Sequence, residues 1–276
     1  MNNKPLVSVI IPTYNSEKYI KETLESILNQ TYENIEIVIT DDCSKDNTVE
    51  IVKGYKSKDS RIRLIVNKEN MGIALNMNNG IRECKGKYIA ILDADDWAYP
   101  YRIEEQVKVM EENPDVVLCS GYMHICDENL NIQKLRTYPL TDKEIRRTFM
   151  RYDPISHPAT MWRRDQWLKT SLYSDNFPIC RDVDMKIRIS EFGKYQNIPK
   201  ALIKYRVRKD SETGKRIRQT QWYTFYLQMK AHFEYGFTIT FGDVLFIIGR
   251  LIATVILPVS VQRSIANSFN YRKKKK

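Results

Sequence analysis

Short apolar runs alternate with segments of helical periodicity through roughly the first 120 residues of the chain. The runs predicted as strands are Val7–Ile11, Ile35–Ile39, Ile62–Val66, Tyr88–Leu92 and Val116–Cys119, because each is continuous and too short for a helix. Between them, apolar residues recur at helical spacing, with helix starts predicted at Ser16, at Asp46 or Asn47 and at Pro100, and a helix over Ile73–Ile81. This alternation predicts an α/β fold with a parallel sheet and right-handed crossovers.

The second half of the chain is less regular. A hairpin turn is predicted at Asp127–Asn129, and the segments predicted as helix or strand are Thr141–Met150, Asp182–Phe192, Ala201–Val207 and the long helix Gln219–Tyr235. Val244–Leu257 is an apolar run with one charge, Arg250, and Pro258 follows it. A membrane-spanning helix needs about 20 apolar residues, so this run is predicted to be an interfacial or packing helix.

The charge of the chain is concentrated near its C-terminus. The 276 residues have a net charge of +10, yet residues 1–202 contain 29 basic and 30 acidic side chains. Residues 203–276 contain 15 basic and 4 acidic side chains. A nucleic-acid-binding domain would have its cations within the folded body, so this class is disfavoured. An anionic membrane surface is compatible with a basic C-terminal region.

Cysteine usage and the N-terminal residues both favour the cytosol. The five cysteines form no CxxC pair, and three histidines are too few for a zinc array, so buried reduced thiols are predicted. Residues 1–9 lack the cationic start and long apolar run of a signal peptide.

Polar clusters follow three of the predicted strands. They are Pro12–Asn15, Thr40–Asp46 and Asp93–Asp96. Ligands of open parallel sheets bind beyond the carboxyl ends of the strands, and carboxylates converging there repel one another unless a cation is present. Hard oxygen ligands select Mg²⁺ or Mn²⁺, whose shell a diphosphate can complete. For Thr40–Asp46 an acidic turn with helix caps is an alternative interpretation.

Four motifs in order resemble those of family-2 glycosyltransferases with the Rossmann-like GT-A fold. They are VSVIIPTYN (Val7–Asn15), TDDCSKDNT (Thr40–Thr48), NMG (Asn70–Gly72) and ILDADDW (Ile91–Trp97). The resemblance covers residues 5–210, approximately. It implies a catalytic domain over residues 1–210, with a nucleotide-sugar-binding half (1–118) and an acceptor-binding half (119–210). Residues 211–276 are then a helical, basic, membrane-associating region.

The resemblance also implies which residues bind the donor. Carried over by position, they are Pro12, Thr13, Tyr14, Asp41, Asp42, Asp93, Ala94, Asp95 and Arg206. Asp42 would accept a hydrogen bond from the base, with Asp41 as support, and Asp93 would face the ribose or the donor sugar. Asp95 would bind the Mg²⁺ or Mn²⁺ ion that bridges the diphosphate.

The acceptor side is implied by a later segment. The family has an acidic pair at the start of a helix, and here Arg181 replaces its first member while Asp182 is retained. Asp182 is therefore the implied catalytic base, with capping of the helix as the structural alternative. Arg181 departs from the pattern, and His157 lies in a segment that resembles the acceptor side; a structural histidine is an equally good interpretation.

Two other positions have open interpretations. Arg206 or Arg208 resembles a late family element near the diphosphate, but a solvated basic strand edge is the alternative. Trp97 could wall the sugar site, and core packing is the preferred interpretation.

The function implied is inverting transfer of a sugar, with a UDP-sugar favoured, to a saccharide or lipid-linked acceptor at the inner face of the cell membrane. A sugar nucleotidyltransferase is one alternative, but it would want a glycine-rich basic loop after the first strand, which Pro12–Asn15 does not provide. A non-catalytic membrane-binding module is the other, and the retained aspartates disfavour it.

Overall fold

The computed structural model describes residues 4–174, 176–208, 217–258 and 261–262. Its strands are β1 (Val7–Thr13), β2 (Ile35–Asp41), β3 (Ile62–Val66), β4 (Tyr88–Ile91), β5 (Trp97–Ala98), β6 (Val116–Cys126), β7 (Ile132–Arg136), β8 (Met161–Arg163) and β9 (Lys194–Arg206). Its α-helices are α1 (Ile20–Leu28), α2 (Thr48–Lys56), α3 (Ile73–Glu83), α4 (Arg102–Glu112), α5 (Asp142–Thr148), α6 (Arg164–Trp167), α7 (Arg181–Ile189), α8 (Ile217–Tyr235) and α9 (Phe241–Ile256). A 3₁₀ turn covers His157–Ala159.

The described strands form one sheet in the order β3-β2-β1-β4-β8-β6-β9-β5, with β7 paired to β6. The parallel portion β3-β2-β1-β4 confirms the predicted alternation of strand and helix. The short strand β8 was not predicted, and it runs antiparallel between β4 and β6. Because β6 is antiparallel to β8, it keeps the direction of β4, and it pairs in parallel with β9. A three-residue strand is too short to show a hydrophobic period.

Apolar residues are buried on both faces of the sheet. Along β1, Val9 and Ile11 point to a cluster that includes residues of α1, α2 and α4. Ile10 points to the opposite cluster, which includes residues of α3 and α7. Side chains alternate across a strand, so a run buried at every position requires helices on both faces. The predicted α/β architecture is confirmed.

Some element boundaries differ from those predicted. Helix α1 begins at Ile20, and Ser16 accepts the N–H groups of Tyr19 and Ile20 with its carbonyl instead of capping with its side chain. Asn47 occupies the N-cap position of α2 without a side-chain cap, and Oδ1 of the preceding Asp46 accepts the N–H of Thr48 at 3.0 Å. The predicted turn at residues 127–129 does connect the antiparallel strands β6 and β7.

Helices α8 and α9 follow the sheet and attach to its α7 side. The buried ring of Phe237 packs at a tilt against the ring of Phe149, the residue that follows α5. Lys230 on α8 pairs with Asp184 on α7 at 2.9 Å. No helix in the described ranges is long and apolar enough to cross a membrane. The run of cations at 272–276 lies outside the described residues.

We expect Gly86→Ala to destabilise the fold by about 1–3 kcal/mol, because a Cβ there would lie 2.5 Å from the Ser8 nitrogen and 2.8 Å from the Leu6 carbonyl oxygen. Urea unfolding measures the change. Gly54→Ala is the matched control: no atom lies within 4 Å of its added Cβ, so this helical substitution should stabilise by up to about 1 kcal/mol. Equal urea midpoints for the two variants would contradict the close approach.

Candidate active site

The carboxyl ends of β1 and β2 bring together the first predicted site residues. Pro12 and Thr13 end β1, and Thr13 is paired in register with Asp41 at the end of β2. The Thr13 hydroxyl donates to Asp41 Oδ2 at 2.9 Å, and the Ser44 N–H donates to Oδ1 at 2.8 Å. Asp41 is buried and held in one orientation, whereas the Tyr14 side chain beside it is exposed.

Asp42 binds the loop that precedes α3, at the same edge of the sheet. Its Oδ1 accepts the Met71 N–H at 2.8 Å and the Asn67 side-chain N–H at 3.1 Å. Its Oδ2 accepts the N–H of Gly72 at 2.9 Å, and Gly72 has a φ of +83°, a region that favours glycine. A nucleobase contact by Asp42 would have to share carboxylate oxygens that already accept these three groups.

The acidic segment after β4 (Asp93–Asp96) contains both buried and partly exposed side chains. Asp96 is fully buried, and its Oδ1 accepts the backbone N–H of Arg206 at 2.9 Å. Burial, followed by the charges of Asp93 and Asp95, raises the pKa of Asp96 well above its usual value. Asp96 therefore joins the end of β9 to the acidic segment, and Ala94 lies buried between Asp93 and Asp95.

Asp93 and Asp95 form the partly accessible members of the segment. Burial, together with the charges of Asp95 and Asp182, raises the pKa of Asp93 to about 7. Asp95 pairs with Nε of Arg208 at 2.9 Å. Among the described residues, no three His, Cys, Asp or Glu side chains are grouped so as to hold a metal ion without other ligands.

Arg206 is engaged with groups of the protein. Its Nε donates to the Asp95 carbonyl at 2.7 Å, its Nη2 pairs with Glu22 at 2.5 Å, and its guanidinium lies 4.4 Å from the ring centre of Tyr19. The side chain is almost fully buried. These contacts do not favour Arg206 as a diphosphate ligand. Arg208, the other candidate from the sequence, pairs with the carboxylate of Asp95.

The predicted base lies in the first turn of α7, opposite a buried lysine. Lys186 Nζ donates to Asp182 Oδ2 at 2.8 Å, to Asp153 Oδ2 at 2.7 Å and to the Ile155 carbonyl at 3.1 Å. The Lys186 side chain has no solvent exposure, whereas Asp182 is one-third exposed. All three ammonium hydrogens have acceptors, and one carboxylate oxygen of Asp182 stays outside this contact.

The charges around Asp182 decide its protonation. Burial alone would raise its pKa, but Lys186, and then His157, outweigh burial and hold the pKa of Asp182 below its usual value. For Lys186, burial acts to lower the pKa, and the charges of Asp153 and Asp182 raise it above the usual value. Asp182 is therefore ionised at neutral pH.

His157 lies near Asp182, and Arg181 precedes Asp182 in the chain. His157 Nε2 is 3.2 Å from the Tyr173 hydroxyl, and burial lowers the pKa of His157 to about 4 despite the opposing charge of Asp182. Its Nδ1 and the Nε of Arg181 are buried and have no hydrogen-bond partner among the described residues. Both side chains thus retain capacity to bind a polar ligand beside Asp182.

Sequence reasoning missed Lys186, Asp153 and Tyr173. Lys186 had a local signal, because it lies four residues after Asp182 and therefore on the same face of α7. Asp153 and Tyr173 lie in irregular segments at sequence distances that no motif connects to α7. Only their packing brings them to the site.

We expect Lys186→Met to raise the pKa of Asp182 by at least about 1 unit, because burial would then act without the opposing ammonium charge. Carbon-13 NMR titration of the Asp182 carboxyl group measures this, with circular dichroism to verify folding. Lys169→Met removes an exposed ammonium group that contacts Gln166 and serves as the control. An unchanged Asp182 pKa in folded Lys186→Met protein would refute this account.

Comparison with known proteins shows that most of the chain matches one protein family. Residues 8–186 match the family model described as Glycosyl transferase family 2. The matched range begins in β1 and extends to Lys186, so it includes the acidic segment, His157 and Asp182.

Two relatives extend the comparison. An uncharacterized glycosyltransferase of Methanocaldococcus jannaschii is 38% identical over 236 residues, which cover 84% of this chain and 81% of the relative. The glycosyltransferase TuaG of Bacillus subtilis, assigned by its name to teichuronic acid biosynthesis, is 37% identical over 133 residues. That match covers 48% of this chain and 56% of TuaG.

Two solved structures have the same fold. The mannosyltransferase PcManGT of Pyrobaculum calidifontis, in complex with GDP-Man and Mn²⁺, superposes with a TM-score of 0.64 at 16% identity, covering 99% of this chain and 82% of its own. TarS 1–349 of S. aureus, in complex with UDP-GlcNAc, gives 0.63 at 18% identity, covering 92% and 83%. The predicted GT-A fold is confirmed.

Proposed function

Since the chain belongs to glycosyl transferase family 2 and is a glycosyltransferase, we propose that it transfers a sugar, with inversion, from a UDP-sugar to a hydroxyl group of a saccharide or lipid-linked acceptor in cell-surface polysaccharide synthesis. The observation that carries the proposal is the partly exposed Asp182 carboxylate, which Lys186 holds at 2.8 Å and which lies near Asp93. The nucleotide sugars bound to TarS and PcManGT and the name of TuaG support it. Family membership disfavours a nucleotidyltransferase and a non-catalytic membrane-binding module.

The nucleoside is proposed to bind at the ends of β1 and β2. Pro12, Thr13 and Tyr14 line one side, and Asp41 and Asp42 line the other. The contact between Thr13 and Asp41 is already formed, so this part of the donor site requires no rearrangement of those two side chains.

The residues of the acidic segment fit a divalent cation. Burial, followed by the charges of Asp95 and Asp182, raises the pKa of Asp93 to about 7. A bound cation would relieve the repulsion between these carboxylates. Asp95 is the proposed ligand, with diphosphate oxygens and water completing an Mg²⁺ or Mn²⁺ shell. When bound, the ion supplies Lewis-acid neutralisation of charge on the leaving diphosphate. Arg208 is proposed to contact the diphosphate from the same side.

Asp182 is proposed to act as the base. The Asp182 oxygen that does not contact Lys186 accepts the proton of the acceptor hydroxyl while the hydroxyl oxygen attacks the anomeric carbon, and the bond from this carbon to the oxygen of the nucleoside diphosphate breaks. Lys186 holds the other oxygen at 2.8 Å and keeps the carboxylate charged before attack. His157, neutral at pH 7, and Arg181 are proposed to position the acceptor.

Asp182→Asn should reduce transfer by about 10²–10⁴-fold, since the amide cannot accept the proton, while the Kd for the donor changes little. The assay is release of the nucleoside diphosphate from a panel of UDP-, GDP- and dTDP-sugars with and without saccharide acceptors, with product anomers assigned by proton NMR. Asp165→Asn, an exposed aspartate on α6, is the control. Full activity of Asp182→Asn would remove it as the base.

Mn²⁺ should bind tightly only when UDP is present, because Asp95 supplies too few ligands alone. Electron paramagnetic resonance of free Mn²⁺ measures the binding, and Asp95→Asn should weaken it about tenfold or more. Asp115→Asn removes an exposed carboxylate that pairs with Lys194 and should have no effect. Equal Mn²⁺ affinity in wild type and Asp95→Asn would assign the metal elsewhere.

A further inference from the structure

Helix α9 exposes a stripe of apolar side chains and buries two polar ones. Its exposed side chains are apolar: Phe241, Leu245, Ile248, Ile252, Val255 and Ile256 are between 47% and 79% exposed. Its buried side chains are Ile247 and two polar residues, Asp243 and Thr254, at 0% and 3% exposure. A helix on the surface of a water-soluble domain normally buries its apolar stripe and exposes its polar one.

Polar contacts fix this orientation. Asp243 Oδ1 accepts Nε of Arg151 at 2.6 Å, and Asp243 also forms a capping box with Thr240. Arg250 donates to Gln228 Oε1 at 2.5 Å and to the Arg151 carbonyl at 3.2 Å. Rotating α9 to bury its apolar stripe would break these contacts and leave charged groups without partners, which is costly.

We propose that the outer face of α9 (Phe241, Leu245, Ile248, Ile252, Val255 and Ile256) lies on the surface of an anionic phospholipid bilayer. Sixteen residues span only about 24 Å as a helix, less than the ~30 Å of a hydrocarbon core, so the helix lies in the interface plane.

Charge favours a bilayer over a second copy of the chain. Residues 263–276 contain six Lys or Arg and no Asp or Glu. A net charge of +10 opposes the association of two copies, whereas anionic lipids of the cytoplasmic leaflet attract the cations that follow α9 in the sequence. An apolar face and a polybasic segment are the two signals that together give stable peripheral binding.

The bilayer surface and the acceptor side are linked by a short series of contacts. Asp243 binds Arg151, and two residues later Asp153 binds Lys186, which holds Asp182. If the proposed function is correct, an acceptor carried by a membrane lipid would be presented on the side where the base lies.

Sedimentation of the full chain with vesicles tests the proposal, using phosphatidylcholine alone or mixed with phosphatidylglycerol. Wild type should bind the mixed vesicles, and added salt should weaken the binding. The triple variant Leu245→Gln, Ile248→Gln, Ile252→Gln should bind about tenfold or more weakly. Ile132→Gln with Leu135→Gln, two exposed apolar positions on β7, is the control and should bind like wild type.

Two outcomes would overturn the proposal. The first is equal vesicle binding by wild type and a folded triple variant, with folding verified by its melting temperature. The second is wild-type protein that binds neither kind of vesicle and forms dimers in light scattering, while the triple variant is monomeric. That result would make a second copy of the chain the occupant of this face. Donor hydrolysis in solution should be alike in all variants, so its absence throughout would count against the proposed function alone.

Discussion

A buried ammonium group between two carboxylates organises the surroundings of Asp182. Lys186 has no exposure and donates to Asp153, Asp182 and the Ile155 carbonyl. A buried charge is stable only when paired and hydrogen-bonded, so the segment of Asp153 and Ile155 must keep its position against α7. The orientation of Asp182 and its ionised state both follow from this arrangement.

The pKa values of two aspartates in this site shift in opposite directions. Burial and neighbouring carboxylates raise the pKa of Asp93 to about 7, whereas Lys186 holds the pKa of Asp182 low against burial. Such divergence is how residues of one type acquire different chemical tasks. The proposed cation-binding side and the proposed proton-accepting side therefore differ in their surroundings, since the side chains themselves are identical.

Several motif residues bind neighbouring parts of the site and hold them in position. Asp42 holds the loop of Gly72, Asp96 accepts the N–H of Arg206, and the Arg206 guanidinium binds Glu22. Sequence reasoning placed these residues in the right region because the motifs follow strands. It could not assign their hydrogen bonds, since the partners are as many as 184 residues apart.

Local sequence determined the parallel portion of the sheet, the order of the acidic clusters and the presence of α7, because hydrophobic period and strand-end position are properties of neighbouring residues. It also indicated an apolar helix followed by cations near the C-terminus. Tertiary structure alone decided that β8 lies between β4 and β6, that Lys186 meets Asp153, and that α9 turns its apolar side outward. Each depends on which surfaces pack together, and burial and charge pairing act between segments that the sequence leaves far apart.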